Sequence, residues 1–317
     1  MKIELLDKEI LYLTALLKDY PADSFFSDDA AELADCGYLR KSRSGLTYRL
    51  TEKGESLIEQ EFDKDKYPLG SGKMLNRRIE CGKTVLTMYR AGIDVVNNND
   101  TARFLPSFLI RRIGNMTLGA SQLIGFLITP TKTFLTYFAD KDLKIDMEIA
   151  AAKRILPLVG ASEDLSAIIM CDDYRPDLYE TVKQFPFDVH MVACNDTGAK
   201  QLKLLHTKNW RETLLNEIYF KYSEWHDLGD CPCDAIKDGI LYMYAHDMNM
   251  TRIYALARYA VKNQQKVCFY IFNEAARGMP YKEGLVGSYL LKEDYFWGTI
   301  KVNPGLYPDE YEDEEDA

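Results

Sequence analysis

The chain has 317 residues, 28% of them charged, and a formal net charge of −10 at neutral pH. No apolar run reaches the ~20 residues that a bilayer-crossing helix needs, and seven cysteines at irregular spacings fit reduced thiols better than a disulfide framework. The opening MKIELLDKEI carries acids early and no long apolar core, so the expectation is a cytoplasmic protein with room for two or three domains.

Leu5, Leu6, Ile10, Leu13, Leu16 and Leu17 recur at helical spacing and predict a helix over Leu5–Lys18, ended by Tyr20-Pro21. Ser27 or Asp28 caps a second helix over Asp29–Cys36. Gly37–Gly54 then reads as two short strands around a Ser-Gly tip. Arg40, Lys41, Arg43 and Arg49 lie on it, with no acid between Asp35 and Glu52, which suits contact with a phosphate backbone. The stretch Tyr48-Arg49-Leu50-Thr51-Glu52-Lys53-Gly54 resembles the end of the wing of a winged-helix domain, a likeness that covers about the first sixty residues. A full helix-turn-helix supplies two helices between the first helix and such a wing, whereas Asp19–Gly37 has room for one good helix and a short turn. That helix carries Asp28, Asp29, Glu32 and Asp35, whereas major-groove reading uses Arg, Lys, Asn or Gln. The hairpin is therefore the expected point of DNA contact.

Glu52–Phe62 predicts a third helix, residues 63–72 a linker ending Pro-Leu-Gly-Ser-Gly, and Lys73–Ala91 a helix bearing Lys73, Arg77, Arg78, Lys83 and Arg90. Asn97–Asp100 reads as a loop. Phe108–Ile113, Leu123–Ile128 and Thr133–Phe138 read as strands, Asp146–Leu156 as a helix and Leu165–Met170 as a buried strand. Alternation continues: helix Asp177–Gln184, strand Val189–Ala193, helices within Ala199–Tyr222, strand Ile240–Tyr244, helix Thr251–Asn263 and strand Val267–Phe272. Leu285–Val302 adds edge strands. The expected fold class is therefore α/β: an N-terminal winged helix over residues 1–62, then an α/β domain with a mixed sheet over residues 73–306. Residues 307–317 read as an acidic tail that is expected to be disordered. No internal repeat is evident in the sequence.

Charge is unevenly spread. Nine acids and two lysines lie between Lys292 and Ala317, while Asp63–Arg112 holds ten basic and five acidic residues. Local potential, more than net charge, decides where a polyanion docks. DNA is thus the expected partner, contacted by Arg40, Lys41, Arg43 and Arg49 of the hairpin and by Lys73, Arg77 and Arg78 of the basic helix, with a protein partner for the acidic tail as the alternative and no membrane.

The order helix, three strands, helix, strand from Lys73 to Met170 resembles the core of restriction-endonuclease-like nucleases. Those enzymes hold Mg²⁺ with an Asp on one central strand and an acid-x-Lys on the next. Ser121–Ile128 contains no acid and Thr133–Phe138 no acid-x-Lys, so such a core would be degenerate. Gly70-Ser71-Gly72-Lys73 is not a phosphate loop: Tyr67 stands where the first Gly belongs, and Met74 replaces the metal-binding Ser or Thr. His226, Cys231 and Cys233 lack a fourth zinc ligand at a usual spacing, so a Cys-Pro-Cys turn is the expectation. Asp172-Asp173 and His246-Asp247 follow predicted strands at their carboxyl ends, where open α/β sheets place ligands. They are the candidates for chemistry, two carboxylates for a divalent cation and His246 as a base, with helix capping as the competing role. No cofactor is expected.

Taken with the basic helix and the α/β domain, the winged-helix exit Leu50-Thr51-Glu52-Lys53-Gly54 is similar to the replication-relaxation family of plasmids and conjugative elements. Asn76-Arg77-Arg78-Ile79-Glu80 and Gly125–Pro130 also look like parts of mobile-element accessory proteins. This resemblance implies a DNA-binding accessory or regulatory role and carries over no catalytic residue.

Overall fold

The computed structural model describes residues 5–58, 73–95, 102–114, 122–139, 143–175, 179–215, 222–226, 228–279, 289–295 and 299–302. The expected linker at 63–72, the loop at 97–100 and the tail at 307–317 lie outside the described residues. The chain divides into two compact units, Met1–Arg90 and Ala91–Ala317.

The first unit runs α1 (Leu5–Leu17), β1 (Tyr20–Pro21), α2 (Ser27–Asp35), β2 (Leu39–Lys41), β3 (Thr47–Leu50), α3 (Glu52–Glu55) and α4 (Lys73–Arg90). The two-residue β1 joins the β2–β3 hairpin, so three antiparallel strands lie in the order β1-β3-β2. Ile10, Leu13, Leu17, Ala30, Leu33, Leu39 and Tyr48 are buried within this unit. The exit of the hairpin explains its own sequence. Thr51 accepts from the Gly54 backbone N–H at 3.2 Å and donates to the Gly37 carbonyl at 2.7 Å. A Cβ on Gly54 would fall 2.3 Å from the Tyr38 carbonyl oxygen, so only glycine lets the helix start pass this close to the strand. The basic helix α4, expected to open the α/β domain, lies in the first unit. It packs on β1, where a Cβ on Gly82 would fall 2.7 Å from the Pro21 ring.

The second unit is α/β. Its first sheet has the order β4-β5-β6-β7-β8, with β4 Arg103–Pro106, β5 Gly125–Ile128, β6 Thr133–Phe138, β7 Leu165–Cys171 and β8 Val189–Ala193. β5 is antiparallel to both neighbours, while β6, β7 and β8 are parallel. The second sheet has the order β13-β12-β11-β10-β9, with β9 Ala235–Lys237, β10 Ile240–Tyr244, β11 Lys266–Ile271, β12 Tyr289–Tyr295 and β13 Thr299–Val302. Here β10, β11 and β12 are parallel, and both outer strands are antiparallel to their neighbours.

Helix α6 (Ile145–Ile155) makes the crossover from β6 to β7, and α11 (Met250–Asn263) makes that from β10 to β11. Between them come α7 (Tyr179–Val182), α8 (Asp196–Leu205), α9 (Trp210–Leu214) and α10 (Tyr222–Trp225). Each half therefore reads antiparallel hairpin, crossover helix, parallel strand, parallel strand. This repeat of topology has no counterpart visible in the sequence. One buried cluster joins both halves, with Phe126, Leu135 and Ile169 from the first sheet and Leu241, Phe269 and Ile271 from the second.

One local expectation is corrected and one strand was not foreseen. Phe108–Ile113 is helical, within α5 (Ser107–Gly114), and the strand that pairs with β5 is β4 just before it. The apolar residues Phe108, Leu109, Ile110 and Ile113 satisfy the helical period as well as a short strand, and Pro106 followed by Ser107 marks a helix start. Strand β9 escaped the sequence reading. Its signal was Asp238-Gly239, both at positive φ (51° and 78°), as a two-residue hairpin turn demands.

Candidate functional site

The hairpin β2–β3 separates its basic residues into two groups. Arg40, Lys41 and Arg43 are exposed around the tip. The tip is closed by Ser42 N–H to the Thr47 carbonyl at 2.8 Å and Gly45 N–H to the Ser42 carbonyl at 3.0 Å, with Gly45 at φ 75°. The Lys41 ammonium lies 5.7 Å from the centre of the Tyr48 ring. Arg49 turns the other way. Its Nε donates to Asp19 at 2.6 Å, and Arg78 of α4 donates to the other oxygen of the same carboxylate at 2.9 Å. Asp19 is 1% exposed and also accepts from Thr47 at 3.3 Å. Arg49 and Arg78, two of the residues read as DNA contacts, are thus engaged in a bracket that ties β3 and α4 to the end of α1. Arg77 is half-buried on α4, and the Lys73 side chain lies outside the described residues.

Replacing Asp19 by alanine leaves two guanidinium groups facing each other without their carboxylate. Both are partly exposed and can turn toward water, so the expected loss is about 2–3 kcal/mol, below the full cost of an orphaned buried charge. Chemical unfolding followed by tyrosine emission checks this. An unchanged midpoint would show the bracket to be decorative.

The acidic pairs do not converge. Asp172 and Asp173 are exposed after β7. Asp173 accepts from the Tyr174 backbone at 2.9 Å and faces Arg277 at 3.5 Å, with both side chains largely in solvent. Asp247 follows β10 and meets the opposite end of the first sheet. There His190, near the start of β8, bridges to Asn249, and Met191 N–H donates to the Met248 carbonyl at 3.1 Å. His190 pairs with Ile168, and Asp172 lies four residues further on, just past the end of β7, roughly 13 Å away at strand rise. Among the described residues no group of three or more His, Cys, Asp or Glu side chains is placed to hold a metal ion. The geometry for a cation shared by Asp172, Asp173 and Asp247 is therefore lacking.

Asp247 is the centre of a joint between the two sheets. Its carboxylate is 2% exposed and pairs with Arg211 of α9. His190 Nδ1 lies 3.0 Å from the Asp247 carbonyl oxygen, which can only accept, so Nδ1 carries the proton. The same nitrogen is 3.6 Å from the carboxylate. Burial by itself would raise the Asp247 carboxyl, but the Arg211 guanidinium, with Arg252 behind it, outweighs burial and holds it below the ordinary carboxylate range. Burial pushes His190 below its ordinary value against the pull of Asp247, so its imidazole is neutral.

Neighbouring contacts lock the joint. Asn249 caps α11 at 3.1 Å through Arg252 N–H and donates to Asp188 at 3.0 Å. Arg252 donates to Asp234 at 2.6 Å, and Asp234 also accepts from Tyr244 N–H at 2.8 Å. Glu274, just after β11, accepts from Thr197 at 2.7 Å and Asn195 at 3.3 Å beyond the far end of β8. The carboxyl ends of β10 and β11, where an open sheet would offer a ligand crevice, are thus turned against β8.

His246 is enclosed by rings. Trp210 and Phe272 meet it edge-on at 6.1 and 5.1 Å, and Tyr244 stacks at 6.0 Å. Burial drives its imidazole down to about 3, which fits a neutral core residue and not a base working at neutral pH. Sequence reasoning missed the pairings made by Asp19, His190 and Arg211. Asp19 and Arg78 lie 59 positions apart, His190 and the Asp247 carbonyl 57, and no local pattern announces either pairing. No family model matches this chain, and neither do curated proteins or solved structures.

Proposed function

We propose that this chain is a non-catalytic DNA-binding accessory or regulatory protein of a plasmid or conjugative element, engaging the duplex backbone through the tip of a winged-helix hairpin. The observation that carries this reading is the exposure of Arg40, Lys41 and Arg43 together at the β2–β3 tip. Flexible cations on a protruding turn suit phosphates, which position a protein without specifying sequence. Sequence-specific reading by α2 is not part of the proposal, because Asp28, Glu32 and Asp35 are exposed on it. Binding to duplexes of unrelated sequence, followed by fluorescence anisotropy at two salt concentrations, is the test. Lys41→Ala with Arg43→Ala should weaken binding at least tenfold at low salt across sequences. It should also reduce the salt slope by about 2, one for each phosphate that the variant leaves unneutralised. No detectable binding of the unaltered chain to any duplex at low salt would end this reading.

The exposed carboxylates of α2 support a second reading, in which the first unit and the acidic stretch 307–317 dock on a basic protein. Deleting the chain from Asp309 onward separates the two. A DNA binder restrained by its own polyanion gains DNA affinity, whereas an interaction module loses its partner and gains none.

A further inference from the structure

Cys231-Pro232-Cys233 leads into strand β9, and its two sulfur atoms are 3.1 Å apart as free thiols. A disulfide is about 2.05 Å long, so roughly 1 Å of closure separates the pair from a bond. Pro232 fixes one of the intervening torsions and narrows the conformations that the ring must select. The two thiols differ in access: Cys231 is half-buried and Cys233 is buried. The described residues place no third ligand beside them for a metal ion. We propose that Cys231 and Cys233 form an oxidative modification site, a dithiol that closes to an intrachain disulfide by exchange with a small-molecule disulfide.

The exchange has two steps. The Cys231 thiolate attacks one sulfur of the small disulfide, forming a mixed disulfide and releasing one small thiol. Cys233 then loses its proton and attacks the Cys231 sulfur, releasing the second small thiol. The protein gives up two protons and two electrons, and the small disulfide is reduced to two thiols. The environment favours this order. Burial, and then the adjoining Cys231 sulfur, push the Cys233 thiol up, so it stays protonated while Cys231 meets the reagent. Asp234, the next residue, is held by Tyr244 N–H and Arg252, so β9 keeps its register while the turn before it closes.

The full chain, equilibrated natively with oxidised glutathione and then alkylated and mapped by peptide mass spectrometry, tests the proposal. The expected result is loss of two of the seven thiols, a mass lower by two hydrogens, and a crosslink confined to the peptide holding Cys231 and Cys233. Cys233→Ser should stall as a glutathione adduct on Cys231. Retention of all seven thiols at an oxidant excess that fully oxidises dithiothreitol would overturn it. So would a crosslink mapping to Cys171 and Cys194, whose backbones are hydrogen-bonded at 2.8 Å at the ends of β7 and β8. The mapping of the unaltered chain decides the matter even where the Ser variant does not fold.

Discussion

Asp247→Ala is expected to destabilise the α/β unit by about 3 kcal/mol, the lower end of the cost of breaking a buried ion pair, because Arg211 keeps partial access to water. The loss comes from Arg211, which is left against the apolar joint without its carboxylate, while the neutral His190 keeps its contact with the backbone carbonyl of residue 247. The three tryptophans, Trp210, Trp225 and Trp297, all belong to the second unit, so their emission during urea unfolding reports on that unit alone. Adding Arg211→Met should recover more than half of the loss, since an apolar chain replaces a pair whose desolvation was itself costly. Additive losses would mean that Asp247 and Arg211 contribute independently and that their pairing does not account for the loss.

A second large effect is expected in mild acid. Folded His246 takes up a proton only near pH 3, whereas in the unfolded chain an imidazole does so near 6.5. Its folded value is depressed, so between these limits the unfolded state binds the extra proton and stability falls as pH falls. From pH 7 to pH 5 the loss from this one residue is about 2 kcal/mol. His190 is shifted in the same direction by burial and adds to the drop. Asp247 acts in a separate window. Its depressed carboxyl contributes stability above the ordinary carboxylate range and loses it only at still lower pH. Urea midpoints by tryptophan emission at pH 7 and pH 5 measure the slope. His246→Phe, which keeps a ring among Trp210, Tyr244 and Phe272, should flatten it substantially; equal slopes in both proteins would show that His246 is accessible to protons.

Much of the second unit could be read from local pattern. The apolar runs Thr133–Phe138, Val189–Ala193 and Ile240–Tyr244 became strands with the expected bounds, because buried parallel strands need little more than β-branched and aromatic continuity. The α/β class followed from their alternation with helices. Where two periods fit one segment, as at Phe108–Ile113, local pattern had no way to choose. The site was less legible. His246-Asp247 stood out because polar residues at a strand's carboxyl end often face a ligand. Here that end meets another sheet, and long-range packing converts the same residues into a joint. Likewise Arg49 and Arg78 carry charge in the sequence, but which cations reach solvent is decided by Asp19, a residue with no distinguishing context. The topological repeat is invisible for the same reason: strand order is set by packing, not by side-chain identity.

Both sheets hold their strands in chain order, so each grows by adding the newest strand to one edge as synthesis proceeds. The first sheet is complete when Ala193 emerges, but the residues that cover β8, Met248 and Asn249, follow roughly 55 residues later, about 3–11 seconds at ordinary translation rates. During that interval Val189-His190-Met191-Val192-Ala193 is a bare, apolar edge with unpaired backbone groups, the type of strand that recruits other chains. The nascent first half therefore needs either shielding by a chaperone or fast delivery of the second. Slow codons placed between Ala193 and Asn249 should lower the yield of soluble protein, whereas slow codons after Asn249 should not.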